Sequence, residues 1–538
     1  MPFSHTALER TGANSFAYRT GDLRGDVLAP SYFNPAKAVG LKPMDIIVAT
    51  CAVGQGAPEV PTMLVTATDP SVTVEEVGSS LRGASLCPLP AGLGWDASLY
   101  PISRVGYRDV AGVRRGFVHG YSPWSAAEYQ ACRNGDQIYM ALTGSDSSGA
   151  GISGSPYATI TKAITVANAN NRPATIWVPG NTYQRNANGG WIGGTAPTVP
   201  ICLMAYNGNV QMGSIDNYTW TANGTYTNVS QTARSNAAAV YDPSQRDRFG
   251  NAVMYREVSS LARCAVIPGS MYTDNVNVYV NPFGSNTISN ANARIFLKTD
   301  TWALNYGSNP QHFFMDVADE NSSWDLMGCR VRILATAYGA APKTIALRRV
   351  ASRYGGFSIS DYWNAFGVDN WWGLAWFEEC YGARAAIDSF NLHNTLSTKP
   401  LYAVTLNCSG RDPGVFGDVS NGSNNHLTLH ENVIGIDVGG DYEYAQGGTV
   451  RNIGTTRLLA HGSRFAADRG DLHLPVGVGT LQPTEVCTAD SAQIYLSECD
   501  LEASGPMGYA INAQAPGGVF LRNMPAVRGR VSGNVGTW

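Results

Sequence analysis

The sequence predicts an all-β chain in which a long solenoid follows a small β domain, and three observations carry that prediction. Its 538 residues exceed one ordinary core, so several domains or one long solenoid are expected. Charged residues make up only 14%, against 59 glycines and 10% aromatics, a balance suited to short strands and frequent turns. From Asn181 to about Gly518, short apolar or aromatic segments alternate with Asn, Gly, Ser and Asp clusters, without long helical periodicity. A solenoid pairs each coil's backbone with the next, so turns rich in Asn and Gly are expected of it, although no strict repeat length emerges.

The solenoid is entered through Asn134 to Tyr183. A strand at Gln137–Leu142 ends in Thr143-Gly144-Ser145-Asp146. Ser155-Pro156 then opens a helix with Ile160, Ala163, Ile164 and Ala167 on one face, and Thr175–Val178 returns as a strand closed by Pro179-Gly180-Asn181. The IYMALTGSD strand and loop, SPYATITKAI helix and TIWVPGNTY rung resemble the entry of right-handed parallel β-helix proteins of the pectate-lyase-like superfamily. The resemblance implies that the helix caps the apolar end of the solenoid.

The other segments follow in order. Residues 1–30 are polar and read as an N-terminal arm that orders on a partner. Residues 31–78 read as a small β domain, with strands at Asp45–Cys51, Pro61–Thr68 and Val72–Val77 between Gly/Pro turns. Its YFN, then LKPMDIIV, then a strand pair resembles a module of tailed-phage structural proteins, which implies attachment to other virion proteins. Residues 79–131, rich in Gly, Pro and Arg, read as a connector with little core of its own. Residues 132–518 are the expected β-helix, and 519–538 one or two terminal strands. Asn223-Gly224, flanked by Tyr218–Ala222 and Thr225–Thr227, predicts an antiparallel hairpin projecting from it.

Charge and cysteine usage exclude several classes. A net charge of -4 without a basic block points away from nucleic acid. The ten cysteines contain no C-x-x-C pair, so buried free thiols are expected, with neither metal nor cofactor. Neither a signal peptide nor a membrane-spanning apolar run is visible, which predicts synthesis in a cytoplasm without a secretion signal; the resemblance to phage proteins implies that the cytoplasm is bacterial.

The segment richest in chemistry is Ser358 to Asp471. It carries SDYWNAFGVDNWWGLAWFEE, DSFNLHNT and SNNHLTLHENVIGIDVGGDYEYAQGG. The D-x-F-N-x-H string and the second histidine-bearing coil resemble phage tailspike and capsule-depolymerase β-helices, which implies a sugar-binding or sugar-cleaving groove here. Hydrolysis needs two carboxyls about 5.5 Å apart for retention or about 6.5–9.5 Å for inversion. Coils about 4.8 Å apart can meet either geometry. Asp361, Asp369, Glu378, Glu379, Asp388, Glu431, Asp437 and Asp441 are candidates; Asp388, His393, Glu431 and Asp361 are selected as catalytic. A lyase would take a base from His393, His426 or His430 and neutralise a uronate with Arg384, Arg411 or Ca²⁺. Trp363, Trp371, Trp372 and Trp376 read either as solenoid core or as flat rings for sugar faces. With Asn391, His426, His430 and Asp441 they form the expected binding set. The structural alternative is that an Asp beside Gly caps turn amides.

Three functions follow as expectations: a virion-associated adhesin for host surface polysaccharide, a polysaccharide hydrolase or lyase, or a purely structural spike. The resemblance to tailspikes implies a homo-oligomer, a trimer.

Overall fold

The structure is a computed structural model. It describes residues 8–12, 15–19, 33, 46–50, 62–67, 73–76, 84–110, 112–184, 196–284, 286–298, 301–356, 364–396, 398–414, 424–445, 447–466, 484–503 and 509–538. Strands make 50% of it and helices 8%, so the all-β expectation holds. Two compact units divide the chain: residues 1–87 with 106–115, and residues 88–105 with 116–538.

In the first unit, Leu8–Gly12, Ser15–Arg19, Ile46–Thr50, Thr62–Ala67 and Thr73–Glu76 form one sheet in that order. The last three lie where the sequence places strands. The first two fall in the expected arm, where Phe16 and Tyr18, two positions apart in the strand Ser15–Arg19, are buried.

The second unit is dominated by parallel strands stacked coil on coil. Each regular coil gives one strand to each of three sheets, here named C, A and B in chain order. Phe366–Asp369, Gly373–Glu378 and Tyr381–Ala383 make one coil; Phe390–Asn394, Leu401–Leu406 and Ser409–Arg411 make the next. Inward residues form a continuous core in which like stacks on like, as where Phe366 and Phe390 lie 4.9 Å apart at 6°. The stacking continues to Val535–Thr537, so residues 519–538 extend the same ladders.

Corners repeat in conformation while varying in sequence. Between sheets A and B the turn residue is Arg349, Glu379, Asn407, Gly439, Gly462, Glu498 and Asn523 on successive coils, all with φ between 48° and 65°. Each of the first six amides reaches a carbonyl of the following coil, as Glu379 N to Leu406 O at 2.8 Å. The cost of a left-handed residue is offset by closure of that ladder.

At the entry, the helix spans Ile160–Asn170 and starts later than Ser155-Pro156. Thr159 caps it, its hydroxyl accepting from Lys162 N, and the four apolar positions named above are buried. The flanking strands are Asp136–Tyr139 and Ala174–Gln184. The predicted hairpin is antiparallel but wider. Thr221–Ala222 pairs with Ser230–Ala233, and Thr225–Thr227 lies in the loop because the Asn223 carboxamide accepts from Thr225 N and Tyr226 N. It belongs to an insertion between Gly213 and Thr301 with two small sheets and its own core.

The expected connector is not bare. Residues 88–105 and 116–133 run lengthwise over the outer face of sheet A as a strap. Gly92 lies against Tyr495 and Gly94 against Ile434. Trp95 and Tyr100 meet Tyr402 at 5.2 and 5.5 Å, Tyr121 meets Trp376, and Tyr129 packs edge-on against Phe314. Asn407 exchanges two hydrogen bonds with the Gly116 backbone. Covered on both faces, sheet A strands such as Leu401–Leu406 are buried throughout. All nine described cysteines are free and eight are buried.

Candidate functional site

Sheet C brings together part of the predicted set. Its strands alternate: in Phe390–Asn394, Phe390 and Leu392 point into the core while Asn391 and His393 are half-buried on the outer face. Register aligns two outward columns. One runs Arg332, Gly367, Asn391, Thr428, Arg451; the other runs Leu334, Asp369, His393, His430, Ile453.

The His393 and His430 rings lie 5.1 Å apart. Burial first, then the His393 and Arg451 charges, pushes His430 down to about 4, so near neutral pH its imidazole offers one donor and one acceptor. Asp369 receives the Arg332 Nε at 2.6 Å. Asn370, at φ 54°, turns the chain at the edge of this face and its carboxamide oxygen accepts from Thr395 N and Oγ1. Beyond the turn the half-buried Trp372 carries Lys399 Nζ over its ring at 4.8 Å, with the Tyr338 ring 6.3 Å away. Glu431 ends the next strand as an exposed side chain with φ 63°.

Other predicted residues lie elsewhere. Asp388 is fully buried at a corner, accepting from Asn424 N, Asn425 N and Asn391 Nδ2 at 3.1, 2.8 and 2.8 Å; burial raises its pKa against those bonds. It organises the turn behind the face by accepting two backbone amides, although no glycine adjoins it in sequence, and a polysaccharide cannot reach it. His426 is also fully buried, with Nε2 2.7 Å from Glu443 O and Nδ1 3.0 Å from Ser389 Oγ, so it shares no surface with His430. Trp371 is core, its Nε1 donating to Lys343 O, and Trp376 is sealed beneath the strap. Neither ring is available to a sugar. Asp361 and Trp363 lie outside the described residues.

The remaining carboxylates are engaged. Glu378 accepts from Trp124 Nε1 and Trp376 Nε1, and Glu379 pairs with Arg349. Asp437, inside the solenoid, holds Thr405 Oγ1, Tyr442 OH and Ser463 Oγ at 2.6, 2.7 and 2.5 Å. Asp441 sits on sheet B between Arg411 and Arg464 in an ion-pair ladder that includes Glu443 and Glu502. Arg384 pairs with Asp247 and Asp412.

The face therefore joins Asn391, His393, His430, Asp369 and Trp372 and adds Arg332, Arg451, Tyr338 and Lys399, which the sequence reading missed. Arg332 carries a visible signal, the alternation in RVRIL (Arg330–Leu334), whereas Arg451 has none, because the polar Asn452 follows it and is buried. No family model, curated protein or solved structure matches this chain.

Proposed function

We propose that the chain is a virion-associated spike whose solenoid binds host surface polysaccharide along the outer face of sheet C. The observation that carries this reading is the in-register column Asp369, His393, His430 beside Asn391 and the Trp372 ring. Groups repeating about every 4.8 Å suit a polymer of hydroxyl-bearing rings, and an accessible aromatic supplies a flat stacking surface. In this reading the fold is a right-handed parallel β-helix of the tailspike kind, capped by the Ile160–Asn170 helix, attached to the particle through the N-terminal sheet and assembled as a homotrimer.

Binding is preferred to cleavage. Of the candidate carboxylates described, Asp369, Glu378, Glu379, Asp388, Asp437 and Asp441 already hold an arginine, a tryptophan N–H, backbone amides or hydroxyls. A hydrolase needs a pair poised on either side of the sugar. The test is to incubate the purified chain with a panel of extracted bacterial surface polysaccharides and size the polymer by gel filtration. Co-elution at unchanged polymer size is expected. A fall in polymer size makes the chain a depolymerase, with His393 the first candidate base, and an absence of co-elution with every polymer leaves a structural spike.

A further inference from the structure

A second feature lies away from sheet C. A cleft of about 460 Å³ opens between the insertion and the outer face of sheet B. That volume falls within the roughly 300–1,000 Å³ of small-ligand sites. Its floor is a polar ladder in register: Thr182 pairs with Gln211, and Gln211 with Asp325. Thr182 Oγ1 donates to Gln211 Oε1 at 3.0 Å, and the Gln211 side chain in turn hydrogen-bonds Asp325. Arg353 reaches Asp325 Oδ1 through Nε at 3.0 Å and Asn251 Oδ1 through Nη1 at 3.2 Å. From the insertion come Arg246, at the end of the strand Ala237–Arg246, and Arg294, at the start of Arg294–Leu297. Arg294 Nη1 donates to Ile215 O. Among the described residues neither arginine makes an ion pair with a carboxylate.

Among the described lining residues, three guanidiniums thus meet one carboxylate, which pairs directly with Arg353 and also feels the charge of Arg246. The surplus charge calls for an anion, and the planar guanidinium fork matches a carboxylate. The floor of hydroxyl, carboxamide and carboxylate groups is suited to sugar hydroxyls and gives a bare inorganic ion little to bind. We infer that this cleft takes one carboxylate-bearing sugar unit, its carboxylate on Arg246 and Arg294 and its hydroxyls on the Thr182–Gln211–Asp325 ladder. The polymer would then be an acidic polysaccharide. That last step rests on the proposal that the chain binds glycan; the cleft itself does not.

Two arms test it on the full chain. In the first, free glucuronate, glucose and inorganic phosphate are titrated in turn and followed by NMR. Saturable binding of glucuronate is expected, with at least tenfold weaker binding of glucose and of phosphate, and at least a tenfold loss in the Arg246→Ala/Arg294→Ala variant. Arg246 is exposed, so Arg246→Ala alone gives a well-folded control, and the thermal midpoint is checked for both variants. Equal binding of phosphate reduces the cleft to a general anion site, and binding unaffected by the substitutions overturns the inference. In the second arm, retained polysaccharide is compared before and after chemical reduction of its carboxyls. Retention at least tenfold weaker after reduction, and no further loss when the arginines are also removed, is the expected pattern. Undiminished retention of the reduced polymer contradicts it while leaving glycan binding intact. Glucuronate binding without any polymer retention does the reverse.

Discussion

Trp371, Trp372 and Trp376 fall in one short stretch yet meet three environments: the solenoid core, the edge of sheet C and the underside of the strap. The sequence shows their density but not their orientation, because a corner at Asn370 and the fully covered strand Gly373–Glu378 defeat a single alternation through the stretch. Trp376→Ala should lower unfolding free energy by about 3–5 kcal/mol in a denaturant titration, as for other buried aromatics. Trp372→Ala should leave stability within about 1 kcal/mol of native. Histidines set the acid limit. Burial holds His426 well below its ordinary value and takes His312 and His430 down to about 4. For these the unfolded chain binds more protons, so their contribution is complete above about pH 6.5 and is lost as pH falls toward 4. The urea midpoint of His312→Gln should therefore decline less than native between pH 6.5 and 4; parallel declines would remove His312 from that account. The raised carboxyls Asp388 and Asp437 titrate in the opposite sense, which is why the comparison is made between variants.

At the scale of elements, alternation marks which sheet is covered. FNLHN and LTLHE on sheet C alternate apolar and polar residues, whereas LYAVTL and VIGIDV on sheet A do not, because the strap covers their outer face. The strap was legible only indirectly, since its Gly/Pro-rich stretches pack by single aromatic rings without any periodic face. The repeat was hidden for a related reason: its invariant is the left-handed A–B corner, which Arg, Glu, Asn and Gly all fill, while loops of differing length separate successive coils. Gly439 has φ 63°, and a β-carbon there would come within 2.8 Å of Gly116 N in the strap. Gly439→Ala should cost at least about 1–2 kcal/mol in unfolding free energy and increase proteolysis of the strap. An unchanged midpoint and cleavage pattern would mean that the strap is not held at that corner.

At the scale of the whole molecule, the sequence was sufficient for the class and the entry helix, because each has a local periodic signature. It was insufficient for the cleft, whose arginines come from the insertion and whose floor comes from coils far away in sequence. The most direct test of the central claim is surface plasmon resonance on an immobilised polysaccharide that co-elutes with the chain, comparing native protein with the double variant Trp372→Ala/His393→Ala at matched thermal midpoints. The account predicts at least a tenfold loss of affinity. Native affinity in that variant would contradict glycan binding on sheet C.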